Sequence, residues 1–166
     1  ENYGGDFEQV KAAFDQFLHR LPFYGLAVLC VDDVEVAKLA RSTPRRVLTY
    51  AIENGQADVR ASNLRQQGAR MLFDLHLPNT EEVVAITLNL PGRHNVLNAL
   101  AACATGWQLG VTSAALQAAL SGFQGVGRRF SLRGHLSFAK GSALLVDDYG
   151  HHPSELAAVF EAARSG

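Results

Sequence analysis

The sequence predicts an α/β protein with a mixed sheet, followed by a short β-β-α unit that opens a second body. Three observations carry that reading. Apolar runs at Leu26 to Val31 and Val47 to Tyr50 flank a helical stretch. That strand–helix–strand order points to a parallel pair, because the crossover helix covers the sheet. Three strand-like segments follow, Val59 to Leu64, Met71 to Leu77 and Val83 to Leu90, separated by turn-like Gln-Gln-Gly and Pro-Asn-Thr. Met71, Phe73, Leu75 and Leu77 alternate as a half-buried antiparallel strand does. Gly122 to Gly127 then holds three glycines in six residues, the clearest boundary in the chain. Residues 1–127 read as most of one sheet-containing domain, and 128–166 as the beginning of another.

The remaining elements follow in order. Asp6 with Gln9 resembles a capping box, and Phe7, Val10, Phe14, Phe17, Leu18 and Leu21 fall on one helical face until Pro22 stops the helix. Asp32-Asp33 are placed to cap a second helix carrying Val36 and Leu39. Pro91-Gly92 ends the sheet, and a long Ala-rich helix spans roughly Asn95 to Leu109. Gly110 terminates it. Thr112 or Ser113 caps the next helix, whose expected buried stripe is Leu116, Ala119 and Leu120. Beyond the glycines come a strand near Leu132 to Phe138, a turn at Lys140-Gly141, a strand from Ala143 to Val146 and a helix after Pro153. Two strands and one helix are too few to enclose a core, so this unit reads as unfinished.

Composition excludes several classes. At 48% hydrophobic and 19% charged over 166 residues, the chain can bury a core and is not disordered. A net charge of -1 leaves no broad footprint for nucleic acid. No apolar run approaches the roughly 18 residues that would span a bilayer. Cys30 and Cys103 lie far apart in apolar surroundings and read as reduced thiols of a cytoplasmic protein. The chain opens at Glu1 without a starting Met, signal peptide or lipidation motif.

Three polar constellations are candidates for chemistry. His94, Asn95 and Asn98 stand at the entrance to the long helix; Asn95 and Asn98 share a face, and an amide matches the donor–acceptor edge of adenine. The simpler alternative has Asn95 capping the helix and His94 solvated in a loop. In Gly125-Val126-Gly127-Arg128-Arg129-Phe130, guanidinium groups suit phosphate oxygens, with a solvated face as the alternative. Phe130 is expected to pack inward and set where the arginines point. Asp147-Asp148-Tyr149-Gly150-His151-His152-Pro153 follows a strand directly, at the carboxyl end where open α/β sheets bind ligands. It admits three readings: a nucleotide and phosphate clamp, a metal site, or capping and turn chemistry. No G-x-x-x-x-G-K-[ST], C-x-x-C, H-E-x-x-H or G-x-S-x-G occurs. His19, His76 and His135 read as structural or exposed.

Four segments, taken together, resemble the Mur ligase family of bacterial peptidoglycan synthesis. They are Leu-Pro-Phe-Tyr-Gly at 21–25, Pro-Gly-Arg-His-Asn-Val-Leu-Asn-Ala at 91–99, Phe-Gln-Gly-Val-Gly-Arg-Arg-Phe at 123–130 and Val-Asp-Asp-Tyr-Gly-His-His-Pro at 146–153. The resemblance implies the later part of a P-loop-type central ATPase domain and the opening of a Rossmann-like C-terminal domain. It places the P-loop and the magnesium ligands upstream of Glu1, so these residues alone are expected to be inactive.

The implied reaction is ATP-dependent. The muramyl carboxylate of UDP-N-acetylmuramate takes the γ-phosphoryl group, and L-alanine displaces phosphate from the acyl phosphate. By the same resemblance, His94, Asn95 and Asn98 form the adenine pocket. Arg129, with Arg128 beside it, contacts ATP phosphates and is the expected catalytic residue. Asp148 approaches the ribose, and Tyr149 and His151 lie near UDP-N-acetylmuramate. Asp147 and His152 receive no firm role. The nearest rival is the related recycling ligase that attaches a tripeptide, which Leu21 to Gly25 and Tyr149-Gly150 disfavour. Rivals from other classes are a metal-dependent hydrolase using Asp147, Asp148, His151 and His152, and a non-catalytic nucleotide-binding module.

Overall fold

A computed structural model describes residues 5–165. In chain order the elements are α1 (Phe7–His19), β1 (Leu26–Cys30), α2 (Val34–Ser42), β2 (Arg46–Ala51), β3 (Val59–Gln67), β4 (Arg70–His76) and β5 (Val83–Leu88). They continue with α3 (Arg93–Gln108), α4 (Ser113–Gly122), β6 (Ser131–Phe138), β7 (Gly141–Asp147) and α5 (Pro153–Ser165). One sheet runs β1-β2-β3-β4-β5, and β6-β7 form a separate hairpin. The pairs β1/β2 and β2/β3 are parallel, while β3/β4 and β4/β5 are antiparallel. The mixed sheet expected from the sequence is therefore present.

Alternation builds its core. Met71, Phe73 and Leu75 on β4, and Val84, Ile86 and Leu88 on β5, all point to the buried face. Helix α3 covers that face with Val96, Leu100, Cys103 and Ala104; Val96 and Leu100 are fully enclosed. This packing fixes where α3 begins, and its first turn faces the glycine-rich linker. Gly92, at φ +91, is the residue before the helix and supplies no side-chain cap. Asn95 is not the cap; it sits inside the first turn and donates through Nδ2 to the Pro91 carbonyl at 2.8 Å.

Elsewhere the sequence reading needs correction. The apolar stripe of α1 is largely uncovered: Phe7, Phe14 and Phe17 are exposed and Leu18 is the buried residue. Polar ties hold the helix instead, with Lys11 to Glu35 at 3.3 Å and Arg45 Nη2 donating to the His19 carbonyl at 2.6 Å. Asp6 caps α1, but Gln9 reaches only its carboxylate, at 3.5 Å, so the box does not close on the backbone. Asp33 alone caps α2, accepting from Glu35 and Val36. Asp32 instead accepts from the backbone N–H groups of Ile52, Glu53 and Asn54 at 2.7–3.0 Å, binding the end of β1 to the loop after β2. Thr112 caps α4, Ser113 turns to Glu82, and Ala119 is exposed rather than part of the buried stripe.

The hairpin carries Leu132, Leu136, Phe138, Leu144 and Leu145 exposed, as two strands without a sheet partner must. Helix α5 returns from it to the central body. Its Ala162 is buried, and Gln66 joins three parts there: Nε2 donates to the Ala162 carbonyl at 2.7 Å, and Oε1 accepts from Gly92 N at 3.2 Å.

Candidate functional site

The first turn of α3, the linker after α4, the end of β7 and the start of α5 enclose one cavity of about 780 Å³. His94, Asn95 and Asn98 form one wall, Arg129 and Asp148 stand on another, and Leu90, Leu120 and Phe123 supply apolar surface. Residues from all three polar constellations thus meet in one place. Arg128, Tyr149 and His151 are not among the lining residues. The Arg128 guanidinium lies 4.6 Å from the centre of the Tyr149 ring, and that ring meets His151 edge-on at 5.4 Å. These three form a stacked cluster beside the cavity.

Each wall has a local cause. Asn89 at the end of β5 donates through Nδ2 to the Ser121 and Phe123 carbonyls, at 2.5 and 3.4 Å, which brings the linker across the cavity mouth. Gly125, at φ +84, lies against Leu90; a Cβ there would come 2.9 Å from Leu90 Cδ2. Phe130 lines the cavity, as inward packing requires. The Asp148 carboxylate accepts from Phe130 N at 2.8 Å and Gly150 N at 2.7 Å, so turn chemistry is present in the acidic cluster. Capping is present too: the Glu155 carboxylate accepts from His151 N and His152 N, and those two bonds hold its pKa below the ordinary carboxylate value.

The His94 ring is half-buried rather than solvated in a loop, and burial pulls its pKa below 6.5. The nearby Asp148 carboxylate opposes that shift and Arg129 adds to it. Burial thus favours the neutral imidazole, which has one donor and one acceptor nitrogen. Amides, a neutral imidazole and a guanidinium around an apolar wall suit a ligand with a flat, hydrogen-bonding base and an anionic end.

The residues of the metal reading are engaged separately. Asp147 pairs with Arg133 at 2.7 Å, His151 Nδ1 meets the Tyr149 carbonyl and His152 Nδ1 meets Ser154 Oγ. Among the described residues, no group of three or more His, Cys, Asp or Glu is placed to hold a metal ion. Sequence reasoning missed Phe123, Ser154 and Glu155 as lining residues; only their place in the fold brings them to the cavity.

Comparison with known proteins points to one family. The UDP-N-acetylmuramate–L-alanine ligase of Stenotrophomonas maltophilia (strain K279a) is 62% identical over the whole chain, which spans 34% of that relative's length. A crystal structure of the UDP-N-acetylmuramate-alanine ligase of Thermotoga maritima superposes with a TM-score of 0.76 at 26% identity, covering 99% of this chain and 35% of that one. The MurF structure from Acinetobacter baumannii shares the fold, with a TM-score of 0.80 at 22% identity over 98% of this chain and 34% of its own. The Mur ligase middle domain matches residues 1–106, and with that match this chain belongs to the Mur ligase family.

Proposed function

We propose that this chain is the nucleotide-closing part of an ATP-dependent ligase that joins L-alanine to UDP-N-acetylmuramate. One observation carries the reading: His94, Asn98, Arg129 and Asp148, from three separate motifs, line a single cavity. The name of the 62% identical relative supports the choice of substrates. In the proposed reaction the muramyl carboxylate attacks the γ-phosphorus and ADP leaves. The amino group of L-alanine then attacks the acyl carbon, phosphate leaves, and the amine gives up its proton.

His94, Asn95 and Asn98 would hold the adenine. Asp148 has lone pairs left after its two backbone bonds with which to face the ribose. Arg129 would lie along the phosphates, where a fixed guanidinium offsets the charge that grows as the phosphoryl group transfers. Tyr149 and His151, stacked beyond Arg128, would border the UDP-N-acetylmuramate end of the cleft. Closure of the C-terminal unit over the cavity would exclude water and protect the acyl phosphate from hydrolysis. We place the division between the two domains at residues 127 and 128. Its support is local: Arg128 and Phe130 bond to Tyr149 and Asp148, not to the central sheet. The free thiols of Cys30 and Cys103 favour a cytoplasmic setting.

The test is turnover by the parent ligase. ADP release should require both UDP-N-acetylmuramate and L-alanine, and a tripeptide should not replace L-alanine. Arg129→Ala should lower kcat by about 1,000-fold, the scale of a lost phosphoryl-stabilising arginine. Normal turnover by that variant, or preference for the tripeptide, would reject the reading.

A further inference from the structure

We propose that Asp148 is a positioning residue that straps Arg129 to the β6–β7 unit, so that the guanidinium travels with that unit and not with the central sheet. The inference rests on the ligase reading of Arg129 and goes beyond it. Arg128 and Phe130, on either side of Arg129, have φ of +62 and +46. Left-handed backbone is unfavourable for residues with a Cβ and persists where surrounding bonds impose it. Here the bonds are visible. Phe130 N donates to Asp148 Oδ2 at 2.8 Å, Tyr149 N donates to the Arg128 carbonyl at 2.8 Å, and Arg128 N donates to Ser131 Oγ at 3.0 Å.

Every one of those partners belongs to β6 or to the turn after β7. The other end of the linker is held differently, because Asn89, just past the end of β5, donates to the carbonyls of Ser121 and Phe123. Residues 124–127, upstream of Arg129, connect these two sets of bonds, and within them the Val126 carbonyl accepts from Arg129 N at 3.1 Å. The second Asp148 oxygen accepts from Gly150 N at 2.7 Å, which locks the carboxylate in the orientation that reaches Phe130. A negative acceptor bonded to two backbone N–H groups makes a stiff clamp. Asp148 therefore acts on catalysis through where it puts Arg129.

The experiment is a double-mutant cycle in the parent ligase. Asp148→Ala should lower kcat by about 100-fold, as expected when a catalytic group is displaced by about 1 Å, while loss of its ribose contact shows separately, as a higher KM for ATP. In an Arg129→Ala background the same substitution should add less than about twofold, because the two residues act as one unit. The kcat penalty should persist with 2′-deoxy-ATP and 3′-deoxy-ATP, whose missing hydroxyls remove the ribose contact and leave the strap intact. Independent, multiplying losses would overturn the proposal, as would a penalty that disappears with a deoxy nucleotide, which would make Asp148 a ribose contact only.

Asp148→Asn keeps one acceptor oxygen and the side-chain size, so it serves if the alanine variant does not fold. It should lose about tenfold in kcat with the same non-additivity, and full activity would reject the strap. Amide exchange reads the strap without turnover: Asp148→Asn should speed exchange at Phe130 or Gly150 by about fivefold relative to the β6–β7 ladder. Unchanged exchange at both would overturn the proposal even if the ligase reading stood. Faster exchange in a protein that lacks L-alanine-dependent turnover would uphold the strap and remove the ligase reading.

Discussion

Gly92→Ala attacks the joint on which the cavity is built. The backbone there has φ 91 and ψ 144, a region nearly reserved for glycine, and holding alanine in it costs about 1–3 kcal/mol. The new Cβ would also lie 2.8 Å from His94 Cε1, 2.9 Å from His94 Nδ1 and 3.1 Å from Ala162 Cβ. His94 forms the cavity wall and Ala162 is buried, so one of them must move, and overpacking of this kind adds about 1–3 kcal/mol. A loss of about 4 kcal/mol divided by a urea m-value of about 2 kcal/mol/M lowers the unfolding midpoint by about 2 M.

Gly106→Ala is the matched control. Its backbone is ordinary helix, its Cβ would meet the tip of the buried Leu116 side chain at 2.9 Å, and α3 gains about 1 kcal/mol of helix propensity. That variant should stay within about 1 kcal/mol of the parent protein. Urea titration followed by circular dichroism compares the two. Equal stability of the two variants would refute the argument from backbone angle and crowding.

Adjacent aspartates should separate in the same assay. Asp32→Ala removes a carboxylate that accepts from three backbone N–H groups and should cost about 2–3 kcal/mol, whereas Asp33→Ala removes one helix cap and should cost about 1 kcal/mol. Burial raises the Cys103 thiol to about 11, so it should resist an aromatic disulfide reagent at pH 8 until the protein is unfolded, while Cys30 reacts sooner. Because the folded pKa of His94 is depressed, its stabilising contribution is complete above its ordinary value of 6.5 and is lost as pH falls toward the folded value. The unfolded chain takes up the proton first. An NMR titration of the His94 ring should show a midpoint below 6.5, and His94→Gln should flatten the fall in stability over that window.

How much of this was legible in the sequence depends on the range of the interaction. Strands β3 to β5 were legible because alternation at Met71, Phe73 and Leu75 is a local record of a buried face. The helix α1 was legible for the same reason, but its covering was not: a stripe of Phe7, Phe14 and Phe17 shows what a helix offers and not what meets it. Asp32 and Asp33 look alike in a sequence, and only the position of residues 52–54 separates a loop clamp from a cap. At the site, the polar clusters could be read as chemistry-bearing before any fold was known. Their convergence could not, because it depends on α3 lying on the sheet and on a linker returning past Asn89. Phe123, though it opens the segment at 123–130, and Glu155, which carries no motif of its own, become cavity walls only through that return.

The most direct measurement is a crystal structure of the parent ligase with a non-hydrolysable ATP analogue. The adenine should lie between the start of α3 and the linker, within hydrogen-bonding reach of Asn95 or Asn98, with the Arg129 guanidinium on the phosphates. A nucleotide bound elsewhere, with this cavity open to solvent and Arg129 turned away from the phosphates, would contradict it.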